Sequence, residues 1–487
     1  MTRRDAGRRD DDTVAPTKQL PTQTAAMQTS VSLQSYLSPS LDDQATGFCF
    51  THFLNHVIFS TNVISQFGDQ TADVWRWGVD DRLLTSFKTI GFAGLYYQTR
   101  HPGFERLARY HYLKAVHIVN ETLSDHKQAI SDSMLLSIII LSQFESMCGP
   151  AEDYLSAWET HMHGAVSLII MRGRSQMSTA IGRRLFMSIT TSLLTSCLQR
   201  RCPFPPSVEE IMKATSHELM AKSPPWRLTE IMIDIANLRA SYQHGLRQNL
   251  VATIQMTLHL DSKLISIEGS LPSSWTFQVM EFSGETRFVP NGRYHVYPGY
   301  WQAQIWNSIR VCRLLLQELI REVLAGDPTM IFSTNSELWR NSILTQCIRT
   351  MHTIHSDVQD SVYQHLGHCS LGSSDRLEST ETFLVDFPAI RVDAKKVVNH
   401  PSGLADSWSN FHVEIPDIST WSMLRTHLPL LRTPASSLLS WTLLVTGTSD
   451  VATRTTRTWA RDILLHLGYT LNVREAKSLV TFFQDLE

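Results

Sequence analysis

From Phe48 to the C-terminus, apolar residues recur every three or four positions in stretch after stretch, and that spacing constrains the fold more than any other feature. A helix advances about 100° per residue, so such spacing draws one apolar stripe down one face. In ARYHYLKAVHIVNETL (108–123) the stripe is Tyr112, Ala115, Val116, Val119 and Leu123. The next apolar segment, MLLSIIIL (134–141), has no polar face, which predicts a buried central helix. Ser131 or Asp132 stands where its N-cap belongs, and Gly149-Pro150 ends it in a loop.

Further along, RCPFPP (201–206) breaks the chain, and a more polar helix is expected from about Leu228 to Leu260. Pro272, Gly284, Pro290, Asn291, Gly292 and Pro298 make 269–298 a long irregular connection before a strong helix from Tyr300 to about Leu324. A second loose region begins with GHCSLGSSDRLEST (367–380) and extends through PSGLADSWSN (401–410). Gly468 after Leu467 predicts a helix stop, and Asn472 with Glu475 three residues later has the capping-box pattern for a final helix. Without a repeat or a sustained alternating pattern, a large sheet is excluded. The expected fold is all-α, a large bundle or array of roughly antiparallel helices over residues 44–487, with a sub-boundary in the loop 269–298.

Residues 1–43 read differently. Arg3, Arg4, Arg8 and Arg9 are interleaved with Asp5, Asp10, Asp11 and Asp12, and large apolar groups are scarce. Such a segment does not repay its ordering entropy, which predicts a disordered tail whose opposite charges cancel.

Composition narrows the function classes. An apolar content of 43% in 487 residues suffices for a large core. The formal charge of −3 provides no overall electrostatic grip on nucleic acid. Seven scattered cysteines, with no C-x-x-C pair, read as reduced thiols of the cytosol or nucleus. The run 134–141 is far short of the roughly 20 residues a bilayer span needs, so no membrane role is expected.

The motif that most invites a chemical reading is WETHMHGAVSLIIMRG (158–173). On a helix, His161 and His163 point to nearly opposite sides and cannot grip one metal. Zinc-binding helices place two His four apart, and HELMA (217–221) has Ala221 where the second would stand. Trp158, His161, Ala165 and Leu168 instead share a side, with Gly164 beside them, which predicts a close helix contact and a hydrogen-bonded, buried His161. Gly173 fits a left-handed stop, and Arg172 can meet the helix's negative end or a carboxylate. GHCSLG lacks the spacing of a nucleophile elbow, and neither G-x-G nor GK occurs. The residues point to no catalytic, metal or cofactor site.

Three blocks taken together resemble a known family. The first is Trp158, His161, Gly164, Ala165, Arg172 and Gly173, preceded by LLSIIILSQFES and followed by IGRRLF (181–186). The second is HVYPGYWQAQIWNSIRVCRLLLQELI (295–320), with Trp306, Asn307 and Arg310. The third is LLSWTLLVTG (438–447) followed by Arg457, Trp459 and the terminal EAKSLV. In order and spacing, from about residue 44 to the end, the chain resembles the helical regulatory region of fungal zinc-cluster transcription factors, the fungal-specific transcription factor domain.

The resemblance implies an all-helical regulator that is nuclear, or shared between nucleus and cytoplasm. Its partners would be a second copy, a DNA-binding factor or a coactivator, with a small-molecule effector as a further ligand, and it implies no reaction. Secondary-metabolite gene clusters are common targets of the family. The residues themselves read Trp306 as a core anchor and leave Arg310 as either a buried-pair partner or a ligand contact. Complete members begin with a zinc cluster on six closely spaced cysteines, whereas no cysteine precedes Cys49 here. The expectation is therefore a chain without intrinsic sequence-specific DNA binding. A helical receptor or scaffold with no role at promoters is the competing reading, and an enzyme with a pocket between helices is a third.

Overall fold

The computed structural model describes residues 80–99, 101–148, 154–215, 223–243, 250–284, 286–326, 334–366, 368, 429–470 and 473–486, with 42, 45 and 46 as isolated positions. Contacts divide the chain into Met1–Gln44 and Ala45–Glu487. The tail expected over 1–43 lies, but for residue 42, outside the described residues, as do Gly149-Pro150 and, but for residue 368, the loose region 367–410.

The described residues of 45–487 are almost entirely α-helical, as expected. The long helices are α1 (Asp81–Thr99), α2 (Pro102–Thr122), α3 (Asp132–Cys148), α4 (Tyr154–Arg172), α5 (Ala180–Arg200), α6 (Pro206–Thr215), α7 (Pro224–Gln243) and α8 (Leu250–Gly269). After a hairpin of β1 (Gln278–Glu281) and β2 (Arg293–Val296) come α9 (Tyr300–Gly326), α10 (Thr334–His365), α11 (Pro429–Thr448), α12 (Arg454–Leu465) and α13 (Arg474–Val480). Helices α1 to α4 form a local group in which α1 packs against both α2 and α3 and α3 carries α4, whereas α9 lies among α8, α10 and α11. Short helix-to-helix connections favour the first arrangement, and the apolar sides of α9 require the second.

Local chemistry explains the starts. The Ser131 hydroxyl accepts the Met134 N–H at 3.1 Å, so Ser131 caps α3. Thr179 and Thr453 cap α5 and α12 by accepting the N–H groups of Gly182 (2.8 Å) and Thr456 (3.1 Å). Met134 to Leu141 is buried throughout, as its apolar sequence demands, and each such Leu or Ile contributes about 1.5–3 kcal/mol of apolar transfer.

Several expectations require correction. In α2 the buried stripe is Phe104, Ala108, His111, Ala115 and Val119, while Leu123 is exposed just beyond the helix end. The expected helix 228–260 falls on α7 and α8, with 244–249 between them outside the described residues. The connection 269–298 contains an antiparallel hairpin pairing Gln278 with Val296 and Glu281 with Arg293. Gly468 is no left-handed stop: the chain continues as a π-turn through His466–Thr470, and a Cβ at Gly468 would lie 2.7 Å from Lys477 Cγ, so this glycine admits α13. Val473, not Asn472, precedes α13, and it makes no side-chain cap.

Candidate functional site

The second block builds the most densely interlocked polar cluster among the described residues. Alternation along β2 sends Tyr294 and Val296 into an apolar cluster with Val289 and Tyr363, leaving Arg293 and His295 on the other face. Tyr297 follows, and Gln364 of α10 clamps its backbone from both sides: Tyr297 N–H donates to Oε1 at 2.6 Å and Nε2 donates to the Tyr297 carbonyl at 2.9 Å. One helical step apart on α9, Asn307 and Arg310 share a side. Arg310 Nη1 donates to Tyr297 Oη at 2.6 Å and to Asn307 Oδ1 at 2.9 Å, and Nη2 lies 3.4 Å from His295 Nδ1.

Aromatic faces surround this guanidinium. Its carbon sits 5.4 Å from the Phe277 ring centre, 5.7 Å from that of Trp306 and 5.9 Å from that of Tyr297, within cation–π range. Phe277 stacks on His295 at 4.0 Å, and the half-buried Trp306 donates from Nε1 to the Trp275 carbonyl at 3.0 Å. Asp360 of α10, with no exposed surface, accepts from Asn291 Nδ2 at 2.7 Å and from Arg293 Nε at 2.8 Å.

The electrostatics follow from burial. Desolvation, with Arg310 and Arg293 adding, pushes His295 down to about 3, so its ring is neutral and accepts from Arg310 at Nδ1. Burial raises Tyr297 to about 12, keeping its hydroxyl protonated. The half-buried Asp357 is also raised, by desolvation against the pull of Arg310. His295, Asp357 and Asp360 bring one ligand atom each within 4.8 Å of one another, a combination invisible to a motif search because it joins a strand to a helix. Both Asp360 oxygens already accept N–H groups, and two guanidiniums supply the positive charge, so the donor set fits an ion-pair network rather than a metal.

The first block lies elsewhere, on α4. Arg172 pairs with Asp132 at the start of α3, and Thr179 donates to the same carboxylate at 3.1 Å, so the expected carboxylate partner is present. Gly173 has φ +54° and ends the helix in the left-handed region, as expected. Ala165 and Leu168 are buried, whereas His161 is only half-buried, its ring lowered by desolvation and partly restored by Glu145. Gly164 corrects the packing expectation: it faces outward, and a Cβ there would meet nothing within 4 Å. The side chains of Trp158 and Glu159 lie outside the described residues.

In the third block Trp459 is buried, and its Nε1 donates to the Arg287 carbonyl in the hairpin loop at 3.0 Å. The structure thus does not bring the three blocks into one site; each joins its own set of elements.

Comparison with known families decides what these blocks have in common. Residues 88–385, more than half of the chain, match the model of the fungal-specific transcription factor domain. The chain belongs to that family. Membership of the fungal-specific transcription factor domain family places it among transcription regulators and points away from an enzyme. No curated protein and no solved structure matches the chain. The domain match includes the first two blocks and ends before Trp459. No helix among the described residues is long and apolar enough to cross a membrane.

Proposed function

We propose that the protein is a nuclear regulator of fungal transcription, directed at a secondary-metabolite gene cluster, that works through contacts of its helical domain with a second copy, a DNA-binding factor or a coactivator. The single observation that carries this reading is the family match over 88–385. The signature residues Trp306, Asn307 and Arg310 hold the domain's shape, since Trp306 Nε1, Asn307 Oδ1 and Arg310 Nη1 are each engaged within the protein. Residues 1–487 alone bind duplex DNA weakly and without sequence preference, because base-edge discrimination needs a reading element that the closely spaced cysteines of a zinc cluster would otherwise supply.

Fluorescent tagging and deletion in the host test the reading together. Nuclear accumulation and altered transcripts of a contiguous set of biosynthetic genes are expected. Exclusion from the nucleus with an unchanged transcriptome would leave a receptor or scaffold as the better account. A gel shift with the purified 487-residue chain should give no sequence-selective complex at nanomolar concentration.

A further inference from the structure

The sequence RTTRTWARDILL makes α12 sharply two-sided: Thr456, Trp459, Ala460, Ile463 and Leu464 are buried, while Arg454, Thr455 and Thr458 are exposed. The Trp459 hydrogen bond ties the hairpin loop against this helix and sets Arg287 across from Arg454. Between them is a cleft of about 450 Å³, lined by both arginines, the two threonines, Trp459, Asp462 and Ile463. That volume lies in the lower part of the range small-molecule sites occupy.

We propose that this cleft binds a small organic carboxylate with an apolar, ring-sized body. Three observations select that chemistry. The lining has two guanidiniums and one carboxylate, and Asp462 already faces Arg461 Nη2 at 3.5 Å. Arg287 Nη2 lies 3.3 Å from His466 Nδ1, and among the described residues no carboxylate pairs with Arg287 or Arg454, so both guanidiniums can turn to an incoming anion. Beneath them, Trp459 keeps 7% of its surface exposed while Ile463 keeps none, and the indole N–H is already committed, so the base of the cleft, at the indole, rewards an apolar body and no further acceptor. A bare phosphate would leave that surface uncovered, and a neutral ring would leave the arginines unused. The exposed Thr455 and Thr458 hydroxyls add donors for the second carboxylate oxygen. The site stands whether or not the chain acts at promoters.

Calorimetric titration of the full chain with 1-naphthoate, against its uncharged counterpart 1-naphthamide, tests the proposal. The open cleft predicts a modest dissociation constant of about 0.1–1 mM for the acid, with the amide about tenfold weaker or worse. Arg454→Gln and Arg287→Gln should each weaken the acid roughly fivefold, since each removes a charge-assisted hydrogen bond. Thr458→Trp, at an exposed position, should fill the cleft and abolish binding without lowering the melting temperature. Absence of saturation by about 10 mM acid, equal binding of acid and amide, or unchanged binding by Thr458→Trp would each overturn it.

Discussion

The Arg310 cluster and the α4 block carry similar inventories, each with tryptophan, histidine, arginine and a small residue near by, yet the protein uses them in different ways. Around Arg310 the polar side chains are sealed between β2, α9 and α10 and bond to one another, with Asn307 Nδ2 the atom of the Asn307–Arg310–Tyr297 set left without a partner. On α4 the apolar face does the packing, one ion pair fastens the end of the helix, and His161 and Gly164 reach the surface. A polar group sealed from water contributes through the penalty of unpairing it, while a group at the surface can fall back on water. Family-signature residues of the same type can therefore differ several-fold in what they contribute.

The sharpest way to break that contrast is to remove the guanidinium. Arg310→Met should cost about 3 kcal/mol or more in urea unfolding, because Tyr297 Oη, Asn307 Oδ1 and His295 Nδ1 all lose a partner. Lys at this position should rescue little, since an ammonium lacks the planar fork that reaches three acceptors. A loss below about 1 kcal/mol would make the cluster no more important than a surface contact.

Histidines provide the next comparison. His355 on α10 is buried and pushed down to about 4 by desolvation and His352, with Asp450 pulling weakly the other way. Its folded-state value lies below the unfolded one near 6.5, so the unfolded chain takes up the proton first, and stability falls as pH drops from about 6.5 toward 4. His355→Leu should remove up to roughly 3 kcal/mol of that acid-side loss, read as a gap in melting temperature between variant and wild type that widens on acidification. His161→Leu should open a smaller gap over the same range, because Glu145 offsets part of its desolvation.

Smaller effects belong to α4. Arg172→Ala should cost about 1–2 kcal/mol by unpairing Asp132, measurable as a lowered urea midpoint. Gly164→Ala should stabilise by about 0.5–1 kcal/mol, since it replaces a mid-helix glycine facing open space. Destabilisation by Gly164→Ala would restore the close-packing role that the sequence suggested.

Much of the architecture was legible because helical periodicity is a local signal. The all-α class, the buried run 134–141, the helix starting at Tyr300 and the left-handed Gly173 all rest on residues within a few positions of one another. The misses are non-local. Nothing within 269–298 alone reveals that Arg293 and His295 would meet Asp360, or that Gln364 would clamp Tyr297, because those partners come from α10. Arg310 is open between pairing and ligand contact in the sequence for the same reason: its partners are Tyr297 and His295 across a turn and Asn307 on its own helix. The position of Gly468 after Leu467 suggests a stop, whereas its actual constraint is the approach of Lys477.

Arg310 and its neighbours act as one interlocked unit that maintains the shape of the domain. A double-mutant cycle between Arg310→Met and Tyr297→Phe measures this directly by urea unfolding, with each single variant and the pair. A coupling of about 1–3 kcal/mol is expected for two groups joined by a buried, charge-assisted hydrogen bond. Additivity within about 0.3 kcal/mol would mean that the contact contributes nothing as a pair, and would contradict the claim.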